Sequence, residues 1–215
     1  MTYLLFFGSY LFGSIPFGLI LGKVFRGVDL RTVGSGNIGA SNAMRVLGWK
    51  IGIPVFALDV VKGVAPVLVA QRFAPFDRDL FTVACGIAAI LGHNCSPFLK
   101  FKGGKGVATS LGVCLAMSWK AGVVGFSLWC FVLIVTRFIS ISSLIATPTG
   151  AICIWLDNGR TWPYAVFAAI ASVFVIVKHI SNIKRLIAGK EPRTQPLQAT
   201  IDKLLKRKSE SESES

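Results

Sequence analysis

The chain has 215 residues and a mass of 23.1 kDa; 53% of its residues are hydrophobic, 15% are charged, and the mean hydropathy is +0.65. Such a composition is too apolar and too thinly charged for a water-soluble domain and points to an integral membrane protein. A net charge of +13 would suggest nucleic acid in a soluble protein, but excess Lys and Arg on the inner side of a membrane accounts for it, so no nucleic-acid partner is expected.

Apolar runs mark the expected crossings in chain order. Tyr3 to Val24, Ile51 to Ala70 and Ile139 to Leu156 are each about long enough to span as a helix, which takes roughly 17 to 25 residues. Leu80 to Asn94, Gly106 to Trp119, Ala121 to Val135 and Trp162 to Val177 are shorter runs of the same character. Gly106 to Val135 reads either as two short helices hinged near Ser118 or as one long tilted helix. Charge decides between them. With two helices there are seven spans, and 18 of the 23 Lys and Arg fall on one face. Merging the pair buries Lys120 and leaves nine on that face against twelve on the other. The predicted fold is therefore all-α and polytopic, with about seven transmembrane helices, the amino terminus outside and the carboxyl terminus in the cytoplasm.

The membrane-embedded domain is expected over residues 1–193. Residues 194–215, basic and then Ser/Glu-rich, read as a disordered cytoplasmic tail. No cleavable signal sequence is expected, since no basic stretch precedes the long first apolar run. Cys85, Cys95, Cys114, Cys130 and Cys153 form no C-x-x-C pair and lie mostly in apolar runs, so packing is expected of them rather than disulfides or a metal site.

This topology puts the polar, Gly-rich segments on one face. The first cytoplasmic loop holds Gly34, Ser35, Gly36, Asn37, Gly39, Asn42 and Arg45, and the second holds Lys100, Lys102, Gly103, Gly104, Lys105, Gly106 and Thr109. Ser140, Ser142 and Ser143 follow at a helix start, then His179, Asn182, Lys184, Arg185 and Glu191 after the last span. Glycine lets backbone N–H groups approach an anion, Ser, Thr and Asn add donors, and Lys and Arg add charge. Two such cradles suggest two phosphate groups. Glycines that merely let helices pack, and lysines that merely mark the cytoplasmic side, are the plainer alternative.

Familiar motifs fail on context. Gly34, Gly36 and Gly39 spell G-x-G-x-x-G, with Asp59 twenty residues on, but no strand precedes them and the chain then enters a membrane span. The Lys105 loop resembles a Walker loop, yet Gly106 stands where Ser or Thr should meet magnesium. Neither His93 nor His179 has an Asp five positions later, so the His-x4-Asp pattern of common lipid acyltransferases is missing. Asp59 and Lys62 share a helical face inside a span and are expected to pair as a structural ion pair rather than to form an ion path. His93 is expected to be a packed, hydrogen-bonded histidine.

Three segments carry a resemblance. Gly34 to Arg45 (GSGNIGASNAMR), Gly92 to Thr109 (GHNCSPFLKFKGGKGVAT) and His179 to Glu191 (HISNIKRLIAGKE) resemble, in order, the signature regions of the bacterial PlsY family, with Ser41 where the family usually has Thr. The resemblance implies a seven-span acyltransferase of the bacterial inner membrane with its active site on the cytoplasmic side. It would move a fatty acyl group from acyl phosphate to the sn-1 hydroxyl of glycerol 3-phosphate, giving lysophosphatidic acid and phosphate, the first acylation of phospholipid synthesis. No cofactor and no metal are implied. By motif match, Ser35, Asn37, Gly103, Gly104 and Thr109 would hold the acyl-phosphate headgroup. Arg45, Lys105, His179, Asn182 and one serine, Ser143 before Ser140, would hold glycerol 3-phosphate. His179 is expected to bind substrate, with a substrate phosphate taking the proton, ahead of a role as general base. A transporter for an organic phosphate and a non-catalytic binder of anionic lipid are the alternatives; the donors crowded at one face and the lack of a repeat weigh against transport.

Overall fold

The computed structural model describes residues 2–74 and 77–194. Nearly all of the proposed tail lies outside the described residues. Among the described residues ten α-helices follow one another: α1 (Thr2–Gly13), α2 (Phe17–Arg26), α3 (Ala40–Leu47), α4 (Trp49–Phe73), α5 (Arg78–Asn94), α6 (Val107–Met117), α7 (Trp119–Thr136), α8 (Ile139–Asp157), α9 (Trp162–Lys178) and α10 (Ile180–Ile187). A 3-10 turn at Pro97–Leu99 precedes the second loop.

Four helices are long and apolar enough to cross a bilayer among the described residues: α4, α5 continued to Leu99, α7 and α8. The pairs α1–α2 and α9–α10 are bent by 42° and 56° and raise the number to six if each is one crossing. The protein is thus an all-helical, multi-pass membrane protein. Two expected crossings differ in detail. Tyr3 to Val24 is broken, because Pro16 lacks an N–H and precedes α2 while the Ser14 hydroxyl bonds back to Tyr10 O at 2.7 Å. Gly106 to Trp119 folds as the 11-residue α6, about 16 Å long against a hydrocarbon core of about 30 Å.

At the hinge, the Ser118 hydroxyl accepts the Ala121 N–H at 3.1 Å and caps α7. A Cβ at Gly122 would come within 2.8 Å of Leu115 Cα, whereas seven residues of continuous helix would separate those positions by about 10 Å. The chain therefore turns back at Ser118, and Gly106 to Val135 is not one long helix.

Small residues bring the helices into contact where the hydrophobic effect cannot, since lipid is as apolar as leucine. A Cβ on Gly63 of α4 would strike Thr109 O and lie 2.9 Å from Val113 N of α6, and Gly112 meets Val60 O and Val64 N in return. Gly13 of α1 lies against Ala89 of α5, and Gly92 against Tyr10 O. Val67, Val113, Ile154 and Phe167 fill the core among α4, α6, α8 and α9. Leu30, Ala43, Ile51 and Val55 form a second cluster that seats α3 on α4. Large apolar side chains such as Ile134, Phe131 and Val173 face outward, as lipid-facing surface requires.

The break in the first run is also a joint. Tyr10 Oη donates to Cys95 O and Ser96 Oγ to Ser14 O, each at 2.7 Å, so the end of α5 and the start of the second loop are tied to the bend between α1 and α2.

Gly63→Val should lower the thermal unfolding midpoint of the detergent-purified protein, since overpacking typically costs about 1–3 kcal/mol. An unchanged midpoint would mean that α4 and α6 do not depend on this approach.

Candidate active site

The first loop is built around Asn42. Its amide, 2% exposed, shares two N–H groups among Leu30 O, Val33 O and Asn37 O at 2.8–3.1 Å, and its Oδ1 accepts the Ser35 N–H at 2.9 Å. Gly34 has φ +61° and sits so close to Asn42 Oδ1 that a Cβ would collide with it. Asn37 Oδ1 accepts the Gly39 N–H at 2.8 Å just before α3 begins. Ser35 is left exposed at the loop surface, and Arg45, exposed on α3, points from the same unit.

The second loop lies on the end of α5. Gly104 N–H donates to His93 O at 3.0 Å and Gly103 N–H to Asn94 O at 3.2 Å. Gly106, at φ +78°, caps α6 against the Asn94 side chain. Both glycines in the Gly103–Gly104 turn are pressed so near His93 and Asn94 that any Cβ would clash. Lys105 is delivered beside α10, where its ammonium donates to Asn182 Oδ1.

The third element closes the cluster. Asn182 Nδ2 donates to Glu191 Oε1 at 2.6 Å, and Arg185 Nε donates to Glu191 Oε2 at 2.7 Å. Ser140 of α8 is 2% exposed, and its hydroxyl lies toward the Glu191 carboxylate without a hydrogen bond of good geometry. His179, 1% exposed, directs Nδ1 to Val175 O at 2.8 Å. That contact places the ring proton on Nδ1 and leaves the Nε2 lone pair free.

The electrostatics follow from this packing. Burial lowers the Lys105 pKa to about 8; the Glu191 charge opposes the shift, while Arg185 and Arg45 add to it. Burial works to raise the Glu191 pKa, but the hydrogen bonds from Asn182 and Arg185 outweigh it and hold the group below its usual range. Lys105 thus has Arg185, Arg45 and one carboxylate about it, leaving an excess of positive charge for an anion.

Lys105, Asn182 and His179 come together, with Arg45 within electrostatic reach of Lys105. Ser35 and Asn37 sit in the unit that carries Arg45; among the described residues no hydrogen bond joins them to Lys105 or Asn182. Thr109 is fully buried, with its hydroxyl unpartnered. Ser143 donates to Ile139 O at 2.8 Å and accepts from Trp129 Nε1 at 3.2 Å, so its hydroxyl is already engaged. Ser140, ranked second from the sequence, is the serine brought to the cluster. The roles of Asn42 and Glu191 emerge only in the structure, although Glu191 is the lone acid among the cations from Lys178 to Arg193, a mark legible in the sequence.

The sequence profile described as glycerol-3-phosphate acyltransferase matches residues 3–189. The chain belongs to this family. Glycerol-3-phosphate acyltransferases from Bartonella henselae and a Synechococcus species are 42% and 41% identical to it, over 89% and 86% of this chain and 91% and 90% of theirs. Its fold is similar to the crystal structure of PlsY, an integral membrane glycerol 3-phosphate acyltransferase, in its glycerol 3-phosphate form, with a TM-score of 0.86 and 38% identity over 93% of this chain and 98% of that one. The lysophosphatidic acid form of PlsY gives a TM-score of 0.84 at 37% identity. Phospholipid synthesis is the setting that family membership gives the cluster.

An ammonium with a pKa of about 8 loses its proton as pH rises through that value, so an anion held by Lys105 should bind more weakly above about pH 8. Glu191→Gln removes the charge that supports the protonated form, and the alkaline limb of the kcat/KM profile should move to lower pH. An identical limb in the variant would separate Glu191 from Lys105.

Proposed function

We propose that this acyltransferase uses acyl phosphate as donor and transfers its acyl group to the sn-1 hydroxyl of glycerol 3-phosphate, releasing phosphate and lysophosphatidic acid. The single observation that carries this reading is the meeting of Lys105, Asn182, Arg185 and Glu191 from two separate segments, with Arg45 of a third in electrostatic reach. A cationic, donor-rich cluster at helix ends suits substrates that each bear a phosphate. The PlsY structures in glycerol 3-phosphate and lysophosphatidic acid forms support the same acceptor and product.

In this reading Arg45, Lys105, Asn182 and Ser140 hold glycerol 3-phosphate. Ser35, Asn37, Thr109 and the Gly103–Gly104 backbone receive the acyl-phosphate headgroup. The free Nε2 of His179 accepts a hydrogen bond from the attacking hydroxyl. That oxygen attacks the acyl carbonyl carbon, the bond from that carbon to the phosphate oxygen breaks, and the departing phosphate takes the hydroxyl proton. A mixed anhydride has a good leaving group, so alignment and charge stabilisation do most of what is needed. A crevice beside Lys105, lined by Ile90, Val107 and Phe174, offers apolar wall next to the charge.

The proposed setting is the bacterial inner membrane, crossed seven times with the amino terminus outside and the site facing the cytoplasm. The uneven Lys and Arg distribution and the reversal at Ser118 support it.

Purified protein given palmitoyl phosphate or palmitoyl-CoA with glycerol 3-phosphate should form lysophosphatidate from the phosphate donor alone; equal product from palmitoyl-CoA would remove the donor assignment. Lys105→Ala and Arg45→Ala should each lower kcat/KM roughly 10- to 150-fold, the worth of a charge-assisted contact. Wild-type kinetics in both would take them out of the site. Cysteines at positions 37, 105 and 182 should all react with an impermeant thiol reagent from the cytoplasmic side only.

A further inference from the structure

Three buried ionisable side chains stand apart from the groups assigned to substrate. Asp59 and Lys62 of α4 and His93 near the end of α5 are 2%, 1% and 4% exposed. Lys62 Nζ lies 2.8 Å from Asp59 Oδ1 and also donates to Ile15 O at 2.9 Å, inside the break between α1 and α2. His93 Nδ1 is 3.8 Å from the same Asp59 oxygen, too far for a hydrogen bond but near enough to sense its charge. The other side of the ring packs on the turn: Nε2 fills the space where Gly104 would carry a side chain. The main chain continues the connection through His93 O and Asn94 O, which accept the N–H groups of Gly104 and Gly103. Lys178 Nζ adds a bond to Asn94 O at 2.9 Å and draws in the end of α9.

A glycine turn has no side chains with which to hold itself. Here an imidazole packs behind it, with Nε2 against Gly104 and Nδ1 facing the Asp59 carboxylate at 3.8 Å. Buried ion pairs can often be replaced by apolar groups of similar size without loss of stability, so folding alone does not call for this one. Its place does suggest a use, since the next residue after the clamped turn is Lys105. A displacement of about 1 Å at a substrate-holding group can cost around a hundredfold in rate.

We propose that Asp59, Lys62 and His93 are positioning residues that hold the Gly103–Gly104 turn, and through it the Lys105 ammonium, in register with the substrate phosphate. The inference rests on the site reading above, in which Lys105 meets that phosphate.

Two full-length variants test it: His93→Gln, and the double change Asp59→Asn with Lys62→Met, which removes both buried charges together. Each should raise the KM for glycerol 3-phosphate about tenfold while kcat changes by less than about threefold, the pattern of lost binding rather than lost chemistry. The thermal midpoint of His93→Gln in detergent should stay within a few degrees of the parent. A folded variant of either kind with the parent KM would overturn the proposal. So would a fall in midpoint and yield with no change in KM, which is what a merely structural role predicts. Lys105→Ala is measured alongside; a parent KM there would sink the site reading itself, and this inference with it.

Discussion

Lys105 is a cation held largely out of water among other cations, and the rest of the site is arranged around that fact. Burial and the neighbouring Arg45 and Arg185 push its proton off, while Glu191 keeps it on. Glu191 can do so because Asn182 and Arg185 fix both of its oxygens. The cluster is thus poised rather than neutralised: one carboxylate holds Arg185 directly and Lys105 through Asn182 without cancelling the surrounding positive charge. A dianionic substrate that displaces water from it would meet donors already in place, which is the preorganised arrangement that makes electrostatic stabilisation effective.

None of this could be held by the loops alone. Gly103, Gly104 and Gly106 give the second loop its close backbone path but no grip of their own. The end of α5 supplies that grip, through His93 and Asn94, and α5 is itself fixed by glycine-mediated contact with α1. Asn42 plays the matching part in the first loop, collecting three carbonyls and one N–H with a single amide. The two cradles are therefore built differently, one from within the loop and one from the helix beneath it. In the first, a buried amide side chain replaces the water that loop backbone would otherwise need; in the second, the main-chain carbonyls at the end of α5 do so.

Part of the polar cluster was legible before the fold. Lys105, His179 and Asn182 stood out because their residue types recur at apolar boundaries, and the structure brings them together. Ser143 and Ser140 show where that legibility ends. Three residues apart on one helix, they look equivalent in sequence, yet Trp129 takes the first and the Glu191 cluster adjoins the second. The first apolar run shows another limit: hydropathy counts apolar residues and is nearly blind to the 42° bend at Ser14–Pro16.

The sequence by itself determined the solvent of the fold, its helical class and the chemistry of the boundary segments, because hydropathy, charge bias and residue type act locally along the chain. The tertiary structure alone decided that Gly106 to Trp119 folds as the short α6 and turns back into α7, that Asn42 and Glu191 organise the two loop clusters, and that Lys62 reaches back to Ile15. Those outcomes depend on which side chains meet across dozens of residues, and distance along the chain carries no information about that meeting until helices have packed.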